Sequence, residues 1–184
     1  MLRETPSQTA GPYLHIALLP AQAGVSYRPV GANALASSPL GFHATAPAAP
    51  ILIEGRVLDG AGAPCRDMLI ELWQADGTGH YGGAFRGWAR TGTDFTTGHF
   101  QFETIRPGAV MGAPHIAFWL AARGLNMGLH TRMYFPDDPA NDTDPVLSRV
   151  DPARRSTLLA RAEGDRFVFD IRLQGEMETV FFDV

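Results

Sequence analysis

His115 is a metal-type donor whose natural companion position holds a methyl group. Pro114-His115-Ile116-Ala117-Phe118 reads as the start of a strand, and strand side chains two apart share a face. His115 and Ala117 therefore point the same way. A metal centre built on that face needs a donor at both positions. The framework of such a site is present without the site itself. Arg132 lies in an otherwise apolar run, between His130 and Met133-Tyr134-Phe135. A guanidinium there requires an anionic or carbonyl partner once water is removed. Glu71 sits among Ile70, Leu72 and Trp73 and calls for an arginine partner. Asp94, Asp137 and Asp138 occupy turn-like positions and read as turn formers. His43, His80 and His99 have no evident partner. The glycines from Gly82 to Gly87 lack the Lys-Ser/Thr ending of a phosphate loop.

These residues need elements to hold them. Ile51 to Leu58, Met68 to Gln74, Gly98 to Ile105, His115 to Ala122 and His130 to Phe135 read as strands. Phe167 to Leu173 and Glu178 to Phe182 read as a closing pair. Short strands separated by Gly/Pro turns predict an all-β, antiparallel β-sandwich. Tyr13 to Leu19 reads as a further short strand. Asp151-Pro152 offers an N-cap and a first-turn proline, so one short helix is expected near 151–162. Residues 1–50 read as an N-terminal arm and wrapping connector, and 51–184 as the sandwich domain.

The chain has 184 residues, 45% hydrophobic and 18% charged, with a net charge of −4. That balance suits a globular domain and excludes a nucleic-acid footprint. All fifteen basic side chains other than histidine are arginine. One cysteine, Cys65, rules out an internal disulfide. No apolar run reaches membrane length and no secretory leader is evident, so a cytoplasmic location is expected.

The stretch from Ile53 to Tyr81 resembles the intradiol ring-cleavage dioxygenases, through Gly55, Gly62, Ile70-Glu71-Leu72, Gly79 and Tyr81. The resemblance continues through Phe100 to Gly108, Pro114-His115-Ile116, Met133-Tyr134-Phe135 and Phe169 to Gly175. Within the family the chain is similar to alpha subunits of two-subunit members. Thr5 to Tyr13, Leu129-His130-Thr131-Arg132 and Gly175 to Phe182 carry that likeness. The resemblance implies a beta subunit as partner, in alpha–beta pairs of a larger oligomer, with Fe(III) bound by the beta subunit. It implies cleavage of 3,4-dihydroxybenzoate by O₂ to 3-carboxy-cis,cis-muconate, a step of aromatic catabolism in the beta-ketoadipate pathway.

The family's iron is held by two tyrosines and two histidines. Tyr81 matches the first tyrosine and His115 one histidine, while Ala117 replaces the other. Ala109, Val110 and Met111 stand where the second tyrosine is expected. Gly112 stands where catalytic members carry an arginine. Tyr81, His115 and Ala117 are thus vestigial ligand positions, and two donors make a poor site for hard Fe(III). No metal and no catalytic residue are expected in this chain alone. The resemblance further implies that Gly11, Pro12, Tyr13 and Arg132 contribute to the partner's substrate pocket. An independent intradiol enzyme would need four ligands where two are counted, so that reading is set aside; a non-enzymatic β-sandwich binding module stays open.

Overall fold

Apolar residues alternate with polar ones along most of the chain, and that period builds two sheets. The computed structural model describes residues 9–11, 13–20, 22–24, 49–82 and 85–183. Among the described residues, nine strands follow one short helix, α1 (Tyr13–Leu18): β1 (Pro50–Leu58), β2 (Leu69–Trp73), β3 (Trp88–Gly92), β4 (His99–Ile105), β5 (His115–Ala121), β6 (Leu129–Tyr134), β7 (Arg161–Glu163), β8 (Arg166–Val168) and β9 (Ile171–Arg172). One sheet runs β4-β1-β8-β7 with β9 also on β1, and the other runs β3-β2-β5-β6.

Pairing is antiparallel as expected, except that β8 and β9 both join β1 in parallel. Between them the chain bends over Gly55. A Cβ there would lie 2.1 Å from the Phe169 carbonyl oxygen, so only glycine admits that approach. The inner faces meet in one core. Ile53, Val57, Phe100, Phe102 and Ile171 of one sheet face Ile70, Leu72, Ile116, Phe118 and Leu120 of the other. Phe118 ties the layers together, with ring centroids 6.3 Å from Phe100, 6.2 Å from Phe102 and 5.7 Å from Phe169.

Three expectations are corrected. Tyr13 to Leu19 is not a strand. Its backbone is satisfied locally, Leu19 N–H donating to the His15 carbonyl at 2.8 Å, and only its end, Leu19, is buried, against Gly92. The helix near 151–162 reduces to a 3-10 turn at Arg155–Leu158. Asp151 accepts from Ala153 N–H at 2.9 Å in the turn before it, and Arg154, at the N-cap, offers no side-chain bond. The chain then leaves helical geometry because Ala160 N–H donates to the Tyr134 carbonyl at 3.0 Å and the segment passes into β7. A long-range ladder bond outcompetes the next helical turn. Glu178 to Phe182 forms no regular strand. It is held by Thr179 N–H on the Arg172 carbonyl and by one bridge, His130 to Phe182. Among the described residues, no helix is long and apolar enough to cross a membrane.

Candidate functional site

The site lies on the outer face of the β3-β2-β5-β6 sheet. Period two sends Ile116, Phe118 and Leu120 of β5 into the core, so His115, Ala117 and Trp119 face outward. Register then assigns neighbours. Ala117 lies opposite Trp73 on β2 and opposite Arg132 on β6, and His115 lies opposite Tyr134. Trp73 in turn pairs with Trp88. One row across the sheet thus reads Trp88, Trp73, Ala117, Arg132.

Tyr81 is delivered to this row by a loop. Asp76 accepts from the N–H groups of His80 and Thr78, at 3.0 and 2.8 Å. Those bonds, His80's foremost, hold the Asp76 carboxyl below its ordinary range. The loop docks on the segment after β4: Gly108 N–H donates to the Asp76 carbonyl at 2.8 Å. At Gly79, with φ +84°, a Cβ would fall 2.3 Å from the Ala109 carbonyl oxygen. The Tyr81 ring stacks on Trp73, centroids 5.6 Å apart and planes within 7°.

Tyr81 and His115 both feel the charge of Arg132. Burial pushes the Tyr81 phenol up, and the Arg132 charge opposes it. Burial pulls the His115 imidazole down, with Arg132 adding to that and the Ala113 carbonyl opposing it. His115 Nδ1–H donates to that carbonyl at 2.9 Å, which leaves Nε2 as its free donor atom. Both groups are neutral at pH 7. Arg132 donates from Nη1 to the Tyr134 hydroxyl at 3.4 Å, and that hydroxyl donates to Asp144 at 3.2 Å. Burial pushes the Tyr134 phenol up to about 12. Among the described residues, no carboxylate forms an ion pair with Arg132. The Phe182 ring lies 6.0 Å from its guanidinium carbon.

Asp144 holds this corner. It accepts from Ala113 N–H at 2.9 Å and from Val146 and Leu147 N–H at 2.8 Å each. Burial alone would raise its carboxyl, but these bonds and the Tyr134 hydroxyl outweigh it, and the net shift is downward. Gly112 leaves room for it, since a Cβ there would meet Asp144 Oδ2 at 2.3 Å.

This donor set does not fit a ferric ion. A hard trivalent cation calls for anionic oxygen donors. Here the phenol and imidazole are neutral, Ala117 brings a methyl group, and a guanidinium already occupies the face. Met111, one of the three residues where a second tyrosine is expected, is 94% exposed. Among the described residues, no group of three or more His, Cys, Asp or Glu side chains comes together.

Beside Arg132 opens a cleft of about 550 Å³, with Arg149, Val150, Val180 and Phe182 in its walls. Thr9 of the N-terminal arm is anchored elsewhere. The Thr9 hydroxyl donates to the Ala122 carbonyl at 3.3 Å and accepts from Gly124 N–H at 2.6 Å. Ala122 is five residues from Ala117, roughly 16 Å along a strand. Gly11 and Tyr13 follow that anchor and are exposed, whereas Pro12 lies outside the described residues. Among the described residues, those lining the cleft beside Arg132 include none of Thr9, Gly11 and Tyr13.

Glu71 finds the expected arginine. Arg90, opposite it on β3, closes an ion pair, with Trp88 stacked on the guanidinium at 5.1 Å. Asp94 is the expected turn former, accepting from Thr96 and Thr97 N–H. Asp137 and Asp138 do more, since both bind Arg106. His99 lies 3.5 Å from Glu54, His80 bonds the Thr78 hydroxyl, and His43 lies outside the described residues. Trp73, Asp144 and Arg149 escaped the sequence reading. Asp144-Pro145 carries a turn signal, but nothing local says that its carboxylate reaches back to Ala113 and Tyr134.

A family model described as Dioxygenase matches residues 26–114. The chain is 46% identical to the protocatechuate 3,4-dioxygenase alpha chain of Pseudomonas putida, over 100% of this chain and 98% of that one. It is 34% identical to the protocatechuate 3,4-dioxygenase beta chain of Burkholderia cepacia, over 70% of this chain and 66% of that one. Among solved structures it is similar to the dioxygenase domain of a dioxygenase carbohydrate-binding fusion from Streptomyces sp. SirexAA-E. There the TM-score is 0.61 and the identity 29%, over 97% of this chain and 100% of that one.

Proposed function

The chain belongs to the family of protocatechuate 3,4-dioxygenase alpha chains, and we propose that it is the iron-free half of an alpha–beta enzyme. The pair opens the ring of 3,4-dihydroxybenzoate between its hydroxyl-bearing carbons, adds both atoms of O₂, and yields 3-carboxy-cis,cis-muconate. The ferric ion and the ring-opening chemistry belong to the beta chain. The observation behind this division is the row Trp73, Ala117, Arg132, in which a methyl group and a cation face the two surviving donors.

Residues 1–50 act as an arm and 51–184 as the sandwich body. Gly11, Pro12 and Tyr13 form part of the wall of the beta chain's substrate pocket. The supporting facts are that Tyr13 is 75% exposed and that nothing lies within 4 Å of a Cβ at Gly11. A rigid Gly-Pro pair suits a pocket wall. Arg132 is the cation this chain offers to a carboxylate. It faces the mouth of the beta chain's substrate pocket. The pair works in the cytoplasm.

The test is expression of this chain alone and together with a beta chain, followed by iron analysis and oxygen uptake on protocatechuate. The chain alone is expected to carry no stoichiometric iron and to consume no oxygen. The pair is expected to hold one iron per alpha–beta unit and to turn over. Stoichiometric ferric iron and a burgundy colour in the isolated chain would refute the division.

A further inference from the structure

Arg132 is tethered at one end of its guanidinium and open at the other. Arg132 and Tyr134 alternate with buried Met133 along β6, so they share the outer face of the sheet. Register sets them opposite Ala117 and His115. The Tyr134 ring is fully buried, packed with Ala113, Leu147, Val150 and Leu158. A ring so enclosed offers its hydroxyl in one place. That hydroxyl meets Nη1 of Arg132 at 3.4 Å and Asp144 at 3.2 Å.

Chemistry fixes the direction of this chain. A guanidinium only donates, and an ionised carboxylate only accepts. The hydroxyl between them must accept from Arg132 and give its proton to Asp144. Burial keeps the phenol protonated at pH 7, and Asp144 titrates below its ordinary range. Asp144 is itself pinned by the N–H groups of Ala113, Val146 and Leu147. Among the described residues it forms no ion pair with Arg132, so the two meet only through Tyr134. The Arg132 side chain makes no second hydrogen bond among those residues. With Nη1 tethered, Nε and Nη2 stay free. Their N–H groups run parallel and form the fork that grips a carboxylate at two points. Ala117, across the ladder, brings no acceptor to compete for it.

We propose that Tyr134 and Asp144 are positioning residues, which tether Nη1 of Arg132 so that its Nε–Nη2 fork meets the carboxylate of the substrate already oriented. This rests on the reading above, in which Arg132 faces the beta chain's substrate pocket. A free arginine side chain loses rotamer freedom when it engages a ligand. Here that freedom is lost on folding instead. The tether therefore strengthens binding only of ligands that carry a carboxylate.

The test is anaerobic equilibrium dialysis of protocatechuate, and of catechol, the same ring without its carboxylate, against the purified alpha–beta pair. Without oxygen there is no turnover, so binding is read apart from catalysis. Tyr134→Phe removes the hydroxyl and keeps the ring. It is expected to weaken protocatechuate about five- to tenfold and to leave catechol within about twofold. Asp144→Asn keeps an oxygen for the hydroxyl while losing more stability. It is expected to weaken protocatechuate by no more than about threefold. A merely structural role predicts the reverse order. In an Arg132→Gln background, Tyr134→Phe should change nothing further, because it acts through Arg132. Equal weakening of both ligands overturns the proposal, as does undiminished protocatechuate binding in Tyr134→Phe. So does a larger loss in Asp144→Asn, or an additive loss in the Arg132→Gln background. If Arg132→Gln weakens protocatechuate and Tyr134→Phe does not, the reading above stands and the tether falls. If Tyr134→Phe behaves as expected and the wild-type pair takes up no oxygen, the tether stands and the reaction falls.

Discussion

Replacing Asp144 by Asn should loosen the corner that holds Ala113 and Tyr134, and the structure says by how much. The carboxylate receives four hydrogen bonds, three of them on Oδ1 from Tyr134, Val146 and Leu147. An asparagine that keeps its oxygen there must turn its NH₂ toward Ala113 N–H, which now bonds Oδ2. Ala113 is fully buried, so its N–H is left without an acceptor, at about 1–3 kcal/mol. The other three bonds fall from charge-assisted to neutral, roughly 1 kcal/mol apiece. Relief of the buried charge offsets part of this, and the net loss is about 3 kcal/mol.

For a chain of this size each kcal/mol moves the midpoint by about 2–4 °C. Thermal unfolding of the alpha–beta pair, followed by near-ultraviolet circular dichroism, should therefore show a drop of about 6–12 °C at pH 7. The pH dependence supplies a second signature. The folded Asp144 carboxyl titrates below its ordinary 3.8. Its contribution is therefore complete above the unfolded value and vanishes as pH falls through the folded one. The gap between wild type and variant should hold from pH 7 to about 5 and close below about 4. A drop under 2 °C, or a gap that is unchanged in acid, would refute this account of the corner.

Two further predictions follow from the same face. Glu71→Gln keeps an acceptor for Arg90 but removes the charge from a pair whose side chains are 22% and 10% exposed. It should cost about 1–2 kcal/mol, and a thermal midpoint equal to wild type would show the pair to be idle. His115 titrates below its ordinary 6.5 because burial disfavours the imidazolium. Its neutral form therefore supports the fold above pH 6.5, and that support declines as pH falls from there toward the folded value. A proton–carbon NMR titration that places the His115 midpoint above 6.5 would contradict the burial argument.

The residues alone settled what kind of protein this is, since the relevant signals are local. Alternation in Phe100 to Ile105 and His115 to Ala121 announces strands, because a half-buried strand sorts its side chains every second residue. The methyl group at Ala117 needs no fold to show that a donor is missing. Tyr13 to Leu19 and 151–162 misled for a related reason. Apolar spacing over seven residues suits more than one backbone, and an Asp-Pro start suits a turn as well as a helix. The choice was made by Leu19 docking at Gly92 and by Ala160 bonding Tyr134, contacts with partners about 73 and 26 residues away. The arginine opposite Glu71 and the arginine opposite Ala117 both depend on sheet register. Register is a property of pairs of distant segments. No single segment carries it, and so only the tertiary structure could decide which charge stands opposite Ala117.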